Sequence, residues 1–128
     1  MYLFYDTETT GLPLNWDAPV SDVDNWPRLV QIGWIEADEI GAVQRKSKYI
    51  IRPDGFTIPP DDAAVHGITT ERAQAQGSPI GSILREFTQT VCDSILVVAH
   101  NASFDTAVVS AELLQASMKN ELTHARIL

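Results

Sequence analysis

Two short apolar runs, each leading into a carboxylate, constrain this chain more than any other feature of it. Tyr2-Leu3-Phe4-Tyr5 passes straight into Asp6-Thr7-Glu8-Thr9-Thr10-Gly11, and Ile95-Leu96-Val97-Val98-Ala99 passes into His100-Asn101-Ala102-Ser103-Phe104-Asp105. Uninterrupted apolar runs of this length read as strands buried inside a sheet that helices cover. Side chains two apart on a strand share a side, so Asp6 and Glu8 converge while Thr7 points away. If the two runs are neighbouring strands, Asp105 joins them, and three acids meet where a hard cation could sit.

The rest of the pattern supplies an α/β chain. Residues 2–6 read as a central strand, residues 29–37 alternate well enough for a second, and residues 46–52 make a third. Between the first two lies Leu12 to Arg28, with three prolines and two tryptophans, too long for a hairpin turn and therefore placed over the active site. Asp61 to His66 reads as a short helix stopped by Gly67, and Thr69 or Thr70 caps the next, with Glu71 in its first turn. Ile80, Ile83, Leu84, Phe87 and Val91 mark one face of a helix. Residues 95–99 follow as a strand. Phe104, Ala107, Val108, Ala111, Leu114 and Met118 then mark a helix over 103–118, with Asp105 in its first turn.

At 128 residues, 45% hydrophobic and 20% charged, the chain holds one core, and we read residues 1–128 as a single domain. No run approaches the roughly 18 to 20 apolar residues of a membrane helix, which favours a soluble, cytoplasmic protein. The single cysteine, Cys92, has no partner for an internal disulfide and reads as a small buried thiol. A net charge of −8 argues against broad duplex binding. An enzyme that grips only a strand's end tolerates it, because bound divalent ions supply positive charge at the phosphate.

DTETTGL and HNASFD together resemble the first two motifs of the DEDD 3′-to-5′ exonucleases, of the DEDDh type. That group includes polymerase proofreading subunits and small RNA-trimming enzymes. Pro27-Arg28-Leu29-Val30-Gln31-Ile32-Gly33 and His66-Gly67-Ile68-Thr69 also look familial, and all four landmarks follow the family's order. The resemblance implies a ribonuclease-H-like fold, a mixed sheet flanked by helices, and a two-metal site for Mg²⁺ or Mn²⁺. Asp6 would bridge the metals, Glu8 would hold the ion that positions the attacking water, and Asp105 would act beside the leaving group. Repulsion among these acids predicts a partly protonated site in the absence of metal. Thr7, Thr10 and Gly11 would contact the terminal nucleotide, Leu12 would wedge against its base, and Asn101 and Phe104 are further substrate-side candidates. The resemblance implies release of nucleoside monophosphates from single-stranded 3′ ends, DNA more than RNA, and a polymerase or other replication or repair partner. The competing reading is a non-catalytic module that binds a nucleic-acid end or a partner.

One landmark departs from the family. Its third motif supplies a histidine and, five residues later, a fourth carboxylate, whereas the position five beyond His124 lies past Leu128. Leu122 to Leu128 instead falls where the family begins its fifth strand. We therefore expect a fold lacking its carboxy-terminal part, with weak metal binding and little activity. An apolar sheet face left uncovered would favour a homodimer. His124 reads as an ordinary surface histidine, His100 as structural, and His66 as fixing its loop through a hydrogen bond. Trp26 reads as a loop anchor, while Trp16 fits anchoring and base stacking equally.

Overall fold

The first apolar run does become an interior strand, and it runs further than its composition suggests. The structure, a computed structural model, describes residues 1–128. Strand β1 spans Tyr2–Thr9, β2 Leu29–Ala37, β3 Val43–Ile50 and β4 Leu96–Val98, in the sheet order β3-β2-β1-β4. The first two pairings are antiparallel, and β4 joins β1 in parallel from Tyr2↔Leu96 to Phe4↔Val98. Because β4 stops beside Phe4, β1 continues alone on that side through Asp6 and Glu8. The strand therefore runs three residues past the expected 2–6 and holds both acids within it.

Helices α1 (Pro60–His66), α2 (Thr70–Gln76), α3 (Ile80–Cys92) and α4 (Ala102–Gln115) complete the fold. Gly67 ends α1 in the left-handed region at φ +78°, and Thr69 caps α2 by accepting from Arg72 N–H at 3.1 Å. One sheet face is packed. Leu3 and Tyr5 of β1 and Ile32 and Trp34 of β2 meet Ile83, Leu84, Phe87 and Val91 of α3 with Val108 and Leu113 of α4. Phe87 is the hub, its ring 5.1 Å from Tyr5 and 5.3 Å from Trp34. Full burial of a ring of this size contributes about 2 to 3 kcal/mol.

Several expectations change on packing. Strand β3 begins at Val43, not residue 46, because pairing to β2 recruits the polar, non-alternating Gln44 and Arg45. Helix α4 ends at Gln115, short of Met118. Ser117, at φ +55°, sets up a Schellman turn in which Met118 N–H reaches Leu113 C=O at 2.9 Å and Ser117 N–H reaches Leu114 C=O at 3.1 Å. Leu114 is exposed, while Val109 and Leu113 are buried. The reason is that α4 is covered twice, by the sheet and by Trp26, which packs on Ala107 and Ala111. Cys92 is exposed, since it follows the stripe residue Val91 and turns outward at the helix end.

The expected fifth strand begins in the tail. Val97 N–H donates to Arg126 C=O and Leu128 N–H to Val97 C=O, each at 2.8 Å, so Ile127 runs parallel to β4. The sheet's other face is open, but it is not the apolar surface anticipated. Phe4 and Ile35 share it with Asp6, Glu8, Gln31, Lys46 and Lys48, which removes the basis for expecting dimerisation there. No helix is long and apolar enough to cross a membrane.

Candidate metal and nucleic-acid site

Alternation along β1 builds the site. Leu3, Tyr5 and Thr7 turn into the core, which leaves Asp6 exposed and Glu8 half-buried on the open face. Thr7 then does what neither acid does. Its hydroxyl donates to Asp105 Oδ1 at 2.5 Å, and two residues back Tyr5 Oη shares a hydrogen bond with Thr106 Oγ1 at 2.9 Å. These adjacent bonds fasten the first turn of α4 to β1 beyond the point where β4 ends.

Asp105 is buried, and burial pushes its carboxyl above the ordinary range; the Thr7 hydroxyl opposes this, while the charge of Asp6 adds to it. For Asp105 the shift runs in the expected direction, with desolvation, not acid repulsion, as its main cause. Burial likewise pushes the Tyr5 phenol up to about 12. Asp105 thus bonds Thr7 from the packed side of β1, whereas Asp6 and Glu8 face the open side. The acids do not close into a cage: no three His, Cys, Asp or Glu side chains are grouped so as to hold an ion among them. The donor chemistry nonetheless fits Mg²⁺ or Mn²⁺, since every candidate ligand is a hard carboxylate oxygen and a cation would relieve the buried charge of Asp105.

The turn after β1 is held from three sides. Thr10 N–H donates to Arg28 C=O at 3.0 Å while Arg28 N–H donates back to Thr10 Oγ1 at 2.9 Å. His66 Nδ1 accepts from Ile68 N–H, so its Nε2–H donates to Thr9 C=O, both at 3.2 Å. Both ring nitrogens of His66 are therefore committed to structure. Gly11, at φ +137°, lies where a Cβ would approach the Asp62 carboxylate at 3.6 Å, so α1 backs the turn. Leu12 projects into solvent, 71% exposed.

On the α4 side, Asn101 is exposed and its backbone C=O receives Phe104 and Asp105 N–H at 3.0 and 3.1 Å. Phe104 packs on the main core, and its ring lies 5.6 Å from that of half-exposed Trp16. Trp26 anchors the long loop, donating from Nε1 to Pro19 C=O at 3.1 Å. Its neighbour Arg28 pairs through Nε with Glu112 Oε1 at 2.6 Å, so the loop crosses α4 directly beside the site. His124 is exposed in a 3₁₀ turn over Glu121–His124.

Sequence reasoning passed over the Thr7–Asp105 and Tyr5–Thr106 bonds, Asp62 behind Gly11, and the lysines of β3. The last had a signal: Lys46 and Lys48 alternate with Ser47 and Tyr49, the period of a strand with one face outward.

Comparison with known proteins bears on the family and the fold. The RNase_T family model, described as Exonuclease, matches residues 3–128. The chain is 33% identical over 120 residues to DNA polymerase III subunit epsilon of Treponema pallidum (strain Nichols), covering 94% of this chain and 49% of that one. It is 27% identical over 128 residues to Ribonuclease T of Actinobacillus pleuropneumoniae serotype 5b (strain L20), covering 93% and 56%. The chain thus spans about half the length of these two curated relatives. E. coli Exonuclease I in complex with a dA16 oligonucleotide superposes with a TM-score of 0.79 at 18% identity, over 98% of this chain and 27% of that one. The shared architecture is the ribonuclease-H-like sheet flanked by helices, and by family this chain is an exonuclease-family member.

Proposed function

We propose that the chain carries the acidic site of a metal-dependent 3′-to-5′ exonuclease, which hydrolyses the last phosphodiester bond of a single strand, DNA more than RNA, and releases nucleoside monophosphates. One observation carries this reading: Asp6 and Glu8 share the open face of β1, while α4 delivers Asp105 to the same strand, where it bonds Thr7, the residue between them. Asp6, Glu8 and Asp105 would hold Mg²⁺ or Mn²⁺. Bound there, a pair of divalent ions supplies an activated water and counter-charge for the leaving oxygen. Thr7 fixes the carboxyl of Asp105 toward β1. The pinned turn Thr9-Thr10-Gly11 offers backbone to the terminal nucleotide and sets Leu12 where it can press on a base. Relatives named as DNA polymerase III subunits support a place beside a replicative polymerase.

The reaction also needs a group that takes a proton from the attacking water. Both nitrogens of His66 are engaged, so His66 is not the group that takes the water's proton. The second reading, a module that binds a strand end without cleaving it, is favoured by the absence of a closed three-acid cage. Mononucleotide release from a labelled single strand in Mn²⁺ decides between them. Slow release that Asp6→Ala abolishes supports the nuclease; binding without any release, unchanged by Asp6→Ala, supports the module.

A further inference from the structure

The open sheet face carries a feature that the acids alone do not explain. Cross-strand register places Asp6, Gly33 and Lys48 in one row across β1, β2 and β3, and Phe4, Ile35 and Lys46 in the next. Directly opposed residues on neighbouring strands point to the same side, so both lysines share the face of the carboxylates. Together these residues line an open depression of about 610 Å³.

In a chain of net charge −8, Lys46 and Lys48 are two of four basic side chains, with Arg85 and Arg126, that make no ion pair or hydrogen bond, and they are the two that lie on this face. Arg28, Arg45 and Lys119 pair with carboxylates, and Arg52 and Arg72 bond backbone carbonyls. Lys46 and Lys48 are exposed and make neither kind of contact. Between Asp6 and Lys48 lies Gly33, with no side chain to raise the floor. A Cβ there would meet only Ser47 C=O at 3.7 Å and the Lys48 stem at 3.9 Å. Two strand spacings, about 10 Å, separate the row's ends, and two residues along β3 separate the lysines by about 7 Å.

We propose that this trough is the path of the single strand upstream of its 3′ end. The chain of nucleotides leaves the carboxylates at Asp6, crosses β2 over Gly33, and rests successive phosphates on Lys48 and Lys46. Phe4 and Ile35 give its bases an apolar floor. A polyanion is the occupant that this arrangement fits, because two unpaired cations on one face stand in line with a site for a phosphodiester and the ground between them and that site is uncharged. The proposal rests on the nuclease reading and adds to it a binding track that reaches one to two nucleotides beyond the terminal one.

The test measures binding with Ca²⁺ present, using a fluorescein-labelled oligothymidylate of about ten nucleotides and, separately, a dinucleotide. Lys46→Glu/Lys48→Glu should weaken the longer ligand by about tenfold at moderate salt and flatten its log–log salt slope by about 1.4. Dinucleotide affinity should not change. Lys46→Arg/Lys48→Arg should keep the longer ligand, and Gly33→Val, which obstructs the trough without altering charge, should lose it. Unchanged affinity of the glutamate variant for the longer ligand would overturn the track while leaving the nuclease reading intact. Failure of the unaltered chain to bind either ligand would sink both. A change in sedimentation of the free protein on Lys46→Glu/Lys48→Glu would assign the face to a second copy and likewise overturn the track.

Discussion

Asp105 and Glu112 are both buried acids on α4, and their surroundings give them different work. Burial raises the pKa of Asp105 above the unfolded value of 3.8, with no basic side chain bonded to it. The folded chain therefore holds this proton more tightly than the unfolded chain, and stability falls as pH rises from about 4 through the raised value. Asp105→Asn, which keeps an oxygen for the Thr7 hydroxyl, should raise Tm by a few degrees at pH 7 and leave it unchanged near pH 3, in thermal melts across that range. Glu112 is also raised by burial, against the pull of Arg28. Its Oε2 has no hydrogen-bond partner, so Oε1 and the guanidinium carry the whole compensation. Arg28→Met should cost about 3 to 5 kcal/mol at neutral pH, read from urea midpoints. The deficit should shrink in acid, where Glu112 gains its proton. Asp6, Glu8 and Asp105 were legible as candidates because carboxylates after apolar runs are rare and placed; Glu112 was not, since its partner lies 84 residues away in sequence.

The elements show where local signals stop. Gly67 and Thr69 bound their helices as glycine and threonine usually do, through a left-handed C-terminus and a side-chain cap. Gly77 resembles another helix stop, yet its φ of −76° is open to any residue. Its constraint is space: an added Cβ would lie 2.4 Å from Ala73 C=O and 2.5 Å from Arg52 N. These are backbone atoms of α2 and of the segment after β3, and neither can swing aside. Gly77→Ala should therefore destabilise by about 1 to 3 kcal/mol, measured by chemical denaturation, whereas Gly55→Ala, with nothing within 4 Å, should pay only for its φ of +81°. The end of α4 was misjudged because its Schellman turn uses Ser117, which carries no glycine signal. Leu114 was assigned to the buried stripe because periodicity describes one covered face, and α4 has two.

At the scale of the whole molecule, the acids should be coupled to stability through metal. Any ion that binds only the folded chain stabilises it by mass action, about 2.7 kcal/mol at a hundredfold excess over Kd. Mn²⁺ should raise Tm of the unaltered chain, and Asp6→Ala should remove that response while His124→Ala keeps it; a full response in Asp6→Ala would withdraw the site. Sequence alone determined the alternation that sends Asp6 and Glu8 to one side of β1 and the helical start that carries Asp105, because both follow from periods of two and 3.6 residues within a short segment. It also determined the family, through motifs that keep their order. Tertiary structure decided the rest: that β4 stops beside Phe4 and leaves room for α4, that Thr7 reaches Asp105 across 98 residues, and that Lys46 and Lys48 face the same trough as the acids. Those relations depend on strand register and on which segments meet, and no local pattern encodes a contact whose two halves lie so far apart along the chain.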